Sequence, residues 1–301
     1  MKHLFVLMVI MAAAIITAEA QQGQPAPTGN QGAKPAAPAA QPPAPAGQNG
    51  RPMPAAKTQE EFKAYQEATA KPSAAEVEAA AAAFATQYPQ SDLKLLVYRK
   101  AMYDYQNINN GEKTVAMARK MLALDGNSPE ALVTFATVTA QTTRETDLDR
   151  EERLNEAAAD ASKALQTINT DLLIPADAAK DRVEAFKNSL RAMAYDALGT
   201  VAMVKKDYPT AETNLSKSAE LNAMPDPVTY LRLSVALDQQ KKYSQALDAA
   251  NKAVQYSADS PQANNLAKQE RDRLQKLVNA GGTATPSSPA PATPPAAKPP
   301  Q

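Results

Sequence analysis

Residues 192–261 read AMAYDALGTVAMVKKDYPTAETNLSKSAELNAMPDPVTYLRLSVALDQQKKYSQALDAANKAVQYSADSP, and one pattern occurs twice within them. Three apolar residues of the first copy recur 35 residues later in the second: Tyr195, Leu198 and Tyr208 become Tyr230, Leu233 and Tyr243. In both copies the last tyrosine stands three residues before an alanine. A period of this length predicts stacked helical hairpins, because a single hairpin cannot bury its apolar face alone.

Small residues also recur at fixed places in the two copies. Gly199 follows Leu198, and Ser234 takes the same place after Leu233. A position that stays small in both copies predicts a close crossing of the two helices of a hairpin. We therefore expect Gly199 to tolerate only small side chains.

This pattern resembles the tetratricopeptide repeat family, whose units are about 34 residues long, and in particular its exported bacterial members. The recognisable motifs cover residues 192–261 and, in a weaker copy, residues 92–131, which carry Tyr98 and Tyr105. By architecture the resemblance extends over residues 58–279. It implies an all-α fold, an α-solenoid of tetratricopeptide-like helical hairpins flanked by disordered Pro/Ala-rich tails.

Helix boundaries follow from prolines and capping residues. Ser128 and Ser260 each precede a proline, which predicts a capping serine before a proline at the first helical position. Thr58 and Ser73 each stand three residues before a glutamate, the spacing of a capping box. No segment has strand alternation. The predicted helices span residues 58–70, 74–88, 92–108, 112–125, 129–141, 147–168, 176–205, 208–221, 227–240, 243–257 and 261–279.

Four segments are expected along the chain. Residues 1–20 are typical of a secretory signal, with Lys2, an apolar run and a small-x-small site at Ala18 and Ala20; an uncleaved membrane anchor is the alternative. Residues 21–56 are a disordered Pro/Ala/Gln-rich linker, 57–280 the repeat domain, and 281–301 a disordered Pro-rich tail. The protein is therefore expected in the periplasm or outside the cell, with no integral membrane span after cleavage.

Composition restricts the chemistry of the mature chain. The single histidine is His3, within the signal, and cysteine is absent. Imidazole and thiolate catalysis are excluded, as are the nitrogen and sulfur ligands of most zinc, copper or iron sites. No phosphate-binding glycine loop is present. The sequence therefore predicts no enzyme, no cofactor and no metal; a carboxylate-pair enzyme is the least favoured alternative.

One run of the repeat domain is rich in acids, and alternating acids can bind calcium. Residues 145–152 read ETDLDREE and lack the central glycine of an EF-hand loop. Acids that complement the start of a helix explain the run more simply. Calcium is kept as an alternative only.

Charge restricts the partners in turn. The repeat domain is slightly acidic and has no basic stripe, so nucleic acid is not expected. A protein or peptide segment is the expected partner, and self-association stays open.

In the tetratricopeptide family the first helices of successive hairpins line a concave groove that binds protein segments. The resemblance places groove positions on the first helices of four units. These are Leu96, Arg99, Tyr103, Gln106 and Asn107; Glu130, Val133, Thr137 and Gln141; Met193, Asp196, Thr200 and Met203; and Val228, Leu231, Val235, Asp238 and Gln239. For Val133, Leu231 and Val235 simple packing is an equal alternative. Of the positions that clamp acidic peptide ends in the family, only Arg99 suits a carboxylate.

These observations favour a non-catalytic scaffold or adaptor of the bacterial cell envelope that binds a protein segment in its groove. The alternative is a structural envelope or outer-membrane assembly factor that uses its proline-rich tails as spacers.

Overall fold

The computed structural model describes residues 50–281, so the predicted signal, the linker up to residue 49 and the tail from residue 282 lie outside the described residues. Within the described range the chain forms eleven helices. These are α1 (Gln59–Thr69), α2 (Ala74–Gln87), α3 (Lys94–Asn107), α4 (Gly111–Leu124), α5 (Pro129–Thr142), α6 (Arg150–Thr167), α7 (Lys180–Val204), α8 (Tyr208–Leu221), α9 (Pro227–Gln239), α10 (Tyr243–Tyr256) and α11 (Pro261–Asn279).

Neighbouring helices pack in antiparallel pairs, which are α1–α2, α3–α4, α5–α6, α7–α8 and α9–α10. The first helices of later hairpins also pack against one another, as α5 does on α7 and α9 on α11. Pairs that contact mainly their sequence neighbours make an α-solenoid. The predicted all-α solenoid of tetratricopeptide-like hairpins is confirmed.

The turn inside a hairpin has the same backbone in three units. Asn109, Lys206 and Lys241 all adopt a left-handed conformation, with φ of 55°, 62° and 60°. The amide of the following residue then donates to a carbonyl five residues back, as Asp207 does to Ala202 at 2.9 Å. This geometry ends the first helix and satisfies its last carbonyl groups. The α3–α4 hairpin therefore has the same turn as the α7–α8 and α9–α10 hairpins.

The 35-residue repeat also includes a contact between side chains. The Lys217 ammonium lies 5.2 Å from the centre of the Tyr195 ring, and Lys252 lies 5.5 Å from that of Tyr230. The second helix thus touches the first in the same way in both copies.

Gly199 lies at a close crossing of α7 and α8, as predicted. A Cβ atom on Gly199 would lie 2.6 Å from Cγ of Leu215 on α8. In the next hairpin the fully buried Ser234 donates its hydroxyl to the Ala246 carbonyl of α10 at 2.9 Å. Each crossing thus combines a small residue on one helix with a partner that fits against it.

Two capping predictions are confirmed and two are corrected. Thr58 and Ser73 accept the amide of the glutamate three residues on, at 3.1 and 3.3 Å. Pro129 and Pro261 do begin α5 and α11, but the hydroxyls of Ser128 and Ser260 accept no helix amide. A proline at the first position already removes one of the amides that a cap would satisfy.

Two helices begin three and four residues later than predicted. α6 starts at Arg150, because Asp147 accepts the Arg144 amide at 2.9 Å and holds a turn before the helix. α7 starts at Lys180, after a turn in which the Ala178 amide donates to the Pro175 carbonyl at 3.1 Å.

The prediction of a strand-free core needs a small correction. β1 (Arg51–Pro52) and β2 (Leu173–Ile174) form a two-residue parallel ladder. β1 lies within the stretch predicted to be a disordered linker, and Met53 and Ala56 pack on buried apolar residues. The ordered part of the chain therefore already includes residues 50–56, ahead of the predicted boundary at residue 57.

Three buried clusters form the interior. The N-terminal core joins α1–α5 to residues 168–174 and to Phe186 and Leu190 in the first half of α7. The middle core lies between α5, α6 and α7, and the C-terminal core lies between α7 and α11. α7, at 25 residues, is long enough to contribute to all three.

Candidate functional site

The predicted groove positions lie on one side of α3, α5, α7 and α9, which we call the first-helix face. Their exposure changes along the solenoid. In α3 the side chains of Leu96, Tyr103 and Gln106 are each only 4 % exposed, Arg99 is also buried, and Asn107 alone is exposed. Leu96 and Tyr103 belong to the N-terminal core together with Phe186 and Leu190 of α7.

The same holds for α5. Every residue from Pro129 to Ala140 is buried, including the predicted Glu130, Val133 and Thr137, and only Gln141 is exposed. The expectation of a binding surface on α3 and α5 is therefore corrected for these buried residues. The chain itself packs over them. Leu96 and Tyr103 share the N-terminal core with residues 168–174 and the first half of α7, and Val133 lies in the middle core with α6 and α7.

A buried polar cluster joins α3 to α5. Arg99 pairs with the Glu130 carboxylate at 3.4 Å, and the Tyr103 hydroxyl donates to the same carboxylate at 2.7 Å. Burial and the nearby Glu130 charge raise the pKa of Tyr103 well above its usual value. Burial alone would lower the pKa of Arg99, but Glu130 and the nearby tyrosines raise it, so Arg99 stays charged. Since each group has its partner here, Arg99 offers no free charge to an acidic peptide.

The C-terminal part of the first-helix face has a different surface. Met193, Met203, Val228, Leu231 and Val235 are half-buried, and each leaves part of an apolar side chain at the surface. We call these five residues the apolar patch. Gln239 is exposed beside it, and Asp238 is half-buried.

Two acids next to the apolar patch are paired within the chain. Asp196 accepts from the Thr229 hydroxyl at 2.9 Å and pairs with Arg232 at 3.0 Å. Burial raises the pKa of Asp196, and the Arg232 charge opposes that shift. Asp238 pairs with Arg273 of α11 at 2.6 Å. Each of these two acids beside the apolar patch therefore has an arginine as its partner.

Three predicted positions are buried polar groups without a hydrogen-bond partner in the described chain: Gln106 through Nε2, and Thr137 and Thr200 through their hydroxyls. Thr137 and Thr200 lie on α5 and α7, which pack against each other. At these groove positions α5 and α7 carry unpaired hydroxyls, whereas ion pairs join α3 to α5 and α7 to α9.

Sequence reasoning did not find Thr229, Arg232 and Arg273, the partners of the face acids. A signal was present, since Asp196 and Arg232, and Asp238 and Arg273, have opposite charge and stand about one repeat apart. Residues one repeat apart lie on adjacent first helices, so opposite charges at that spacing indicate a pair.

A second concavity, about 420 Å³ in volume, lies between α4, α5 and the start of α6. Gly111, Val115 and Val138 give it an apolar wall, and Arg119 and Arg153 line its rim. Both arginines are engaged, with Glu156 at 3.1 Å and Asp147 at 3.7 Å. None of the predicted binding residues lines this cavity.

Two acids of the run at 145–152 pair with basic residues of the same chain. Asp147 contacts Arg144 and Arg153, and Glu151 contacts Arg150 and Lys205. Over residues 50–281 no group of three or more His, Cys, Asp or Glu side chains is arranged to hold a metal ion. In the same range no helix has the length and apolar character to cross a membrane.

Comparisons with known proteins assign no family. No family model matches the chain, and no curated protein matches it. One solved structure similar to it is that of MamA protein, at 17 % identity over 62 % of this chain and 88 % of that one, with a TM-score of 0.39. At that score the likeness carries no argument about function. The tetratricopeptide-like helical repeat fold rests on the hairpins, turns and crossings of this chain itself.

Proposed function

We propose that the protein is a non-catalytic scaffold that binds a protein segment across the apolar patch on α7 and α9. The observation that carries this proposal is the contrast in exposure along the first-helix face. The groove positions of α3 and α5 are nearly all buried, whereas those of α7 and α9 keep five apolar side chains partly at the surface.

The chemistry of the patch defines the kind of partner. Its apolar side chains include two methionines, which adapt to differently shaped surfaces. Asp196 and Asp238, the two face acids beside the patch, are paired with Arg232 and Arg273, so neither offers a free charge to an ionic ligand. A helix or extended segment with an apolar stripe fits this surface, and its affinity would come from a few well-buried contacts.

The proposed setting is the bacterial cell envelope. It is supported by the signal-like residues 1–20, with Lys2, an apolar run and a small-x-small site. N-terminal mass analysis of the exported protein should give a chain that starts at Gln21; an intact Met1 in that material would contradict export with cleavage.

The binding proposal is tested by site-specific photocrosslinking. A photoreactive amino acid at Val235 should give a discrete crosslinked protein band in envelope preparations. The same amino acid at Leu124, which is 43 % exposed on α4 away from the patch, is the matched control and should not.

A second variant makes the test specific. Leu231→Arg places a charge in the patch and should abolish the Val235 crosslink while leaving the helical circular dichroism signal unchanged. Equal crosslinking from Val235 and Leu124, or a Val235 crosslink that survives Leu231→Arg, would contradict the proposal. Association of the protein with bulk envelope material alone would favour the structural spacer role instead.

A further inference from the structure

The segment that precedes α1 is fastened along one edge of the solenoid. The Arg51 amide donates to the Leu172 carbonyl at 2.8 Å, and β1 pairs with β2 in parallel. Further along, the Lys57 ammonium donates to the Gln90 carbonyl, between α2 and α3, at 2.7 Å. Residues 50–57, which we call the strap, thus bridge the connection before α7 and the turn before α3.

Gly50 fits a place that no other residue can take. Its φ is +141°, a conformation that L-residues rarely adopt. A Cβ atom there would lie 2.5 Å from Cδ1 of Ile174 and 2.8 Å from the Leu172 carbonyl oxygen. Close approach of the strap to β2 therefore requires glycine at this position.

Arg51 fits between two carboxylates that come from different connections. Its guanidinium pairs with Asp125, in the turn between α4 and α5. Its Nε atom donates to the Asp171 carbonyl at 3.2 Å and lies 3.8 Å from the Asp171 carboxylate. Both acids are mostly covered, at 16 and 19 % exposed, whereas the Arg51 side chain is 41 % exposed, so the pairing is shielded from water on the side of the carboxylates.

The next two residues complete the fit. Pro52 has no amide hydrogen, so it ends the ladder after two residues. Met53 then packs against the N-terminal core. Together these contacts make up a strand-recognition site. The site offers backbone pairing, a position restricted to glycine, two carboxylates for an arginine and an apolar contact for a methionine.

We infer that Leu172–Ile174 together with Asp125 and Asp171 form a receptor for an extended Gly-Arg-Pro-Met segment, and that the chain's own residues 50–53 occupy it. This site is separate from the apolar patch and from the proposed function. It fixes Gly50 and Arg51, the first of the described residues, at the α4–α5 and α6–α7 connections.

The test uses the absence of cysteine in the chain, which lets a single introduced thiol report on the strap. In full-length protein carrying Met53→Cys, labelling by a maleimide should be slow. Adding Gly50→Val should speed the labelling by about tenfold or more, because the strap then opens more often. Arg51→Ala is a second, independent way to release the strap. Ala55→Cys, at an exposed position of the strap, is the matched control and should label at one rate in all backgrounds.

A binding measurement then tests the receptor directly. A fluorescent peptide with the sequence of residues 50–57, GRPMPAAK, should bind the full-length Gly50→Val protein saturably. The same peptide with valine in place of glycine should not bind. Asp125→Asn combined with Asp171→Asn in the Gly50→Val protein should weaken the binding of the glycine peptide, with the thermal unfolding curve as the check on folding.

Two results would overturn the inference. One is an equal rate of labelling for Met53→Cys alone and for Met53→Cys combined with Gly50→Val. The other is a peptide that binds equally well with valine in place of glycine, or does not bind the released protein at all.

Discussion

The α3–α5 pair and the α7–α9 pair occupy equivalent places in the repeat, yet one is interior and the other is partly surface. Both use an ion pair between first helices, Arg99–Glu130 in one and Asp196–Arg232 in the other. The first pair is covered by the long α7 and the residues before it, whereas nothing in the described chain covers the apolar patch to the same degree. The position of a residue in the repeat therefore sets the side of the helix on which it lies. Whether that side is exposed to solvent depends on the rest of the chain.

The largest expected effect is on the buried pair. Glu130→Ala leaves the Arg99 guanidinium and the Tyr103 hydroxyl buried without their partner, and should lower the free energy of unfolding by about 3–5 kcal/mol. Arg232→Ala should cost only about 1–3 kcal/mol, because Asp196 keeps its bond from Thr229. Urea unfolding followed by circular dichroism measures both. Equal losses would show that the two pairs are equally buried in solution and would break the comparison.

The next effect concerns the two helix crossings. Gly199→Leu should cost about 1–3 kcal/mol, because the new side chain would occupy the place of Leu215. Adding Leu215→Ala should recover part of the loss by making room, and urea midpoints of the single and double variants measure the recovery. A double variant whose loss is the sum of the two single losses would mean that the residues do not meet at the crossing.

The smallest effect compares two threonines of similar burial. The buried Thr200 hydroxyl has no partner in the described chain, so Thr200→Val should be neutral or stabilise by up to about 1 kcal/mol. Thr229→Val should lose about 1–2 kcal/mol, because it removes a hydrogen bond to the buried Asp196. In thermal and urea unfolding, the midpoint of Thr229→Val should fall, and that of Thr200→Val should rise or stay unchanged. If Thr200→Val lost as much stability as Thr229→Val, the Thr200 hydroxyl would have to have a hydrogen-bond partner, such as a bound water.

Local signals in the sequence predicted the helices well. Prolines at first helical positions, the capping boxes at Thr58 and Ser73, and the small residue at Gly199 all act through neighbours a few residues away or one helix on. Such interactions depend on spacing along the chain, so a single sequence is enough to find them.

Long-range contacts were not predictable in the same way. The strap pairs residues about 120 positions apart, and its two-residue ladder is too short to give an alternating pattern. The burial of Leu96 and Tyr103 depends on the 25-residue length of α7, whose first half has no counterpart in the repeat. The groove positions could therefore be located from the family pattern, but their exposure could not, and their role in binding stays a prediction.

α11, the last helix of the described residues, has a largely polar outer side. α11 packs on α9 and α10 and buries Ala267 and Leu274, while its outward residues include Gln262, Asn265, Gln269 and Asp272. A second solenoid approaching this end would have to strip water from amides and charges and would gain little apolar contact beyond Leu266. The outer side of α11 therefore offers little apolar surface for another copy to pack on, unlike the apolar face that each hairpin presents to its neighbour within the solenoid.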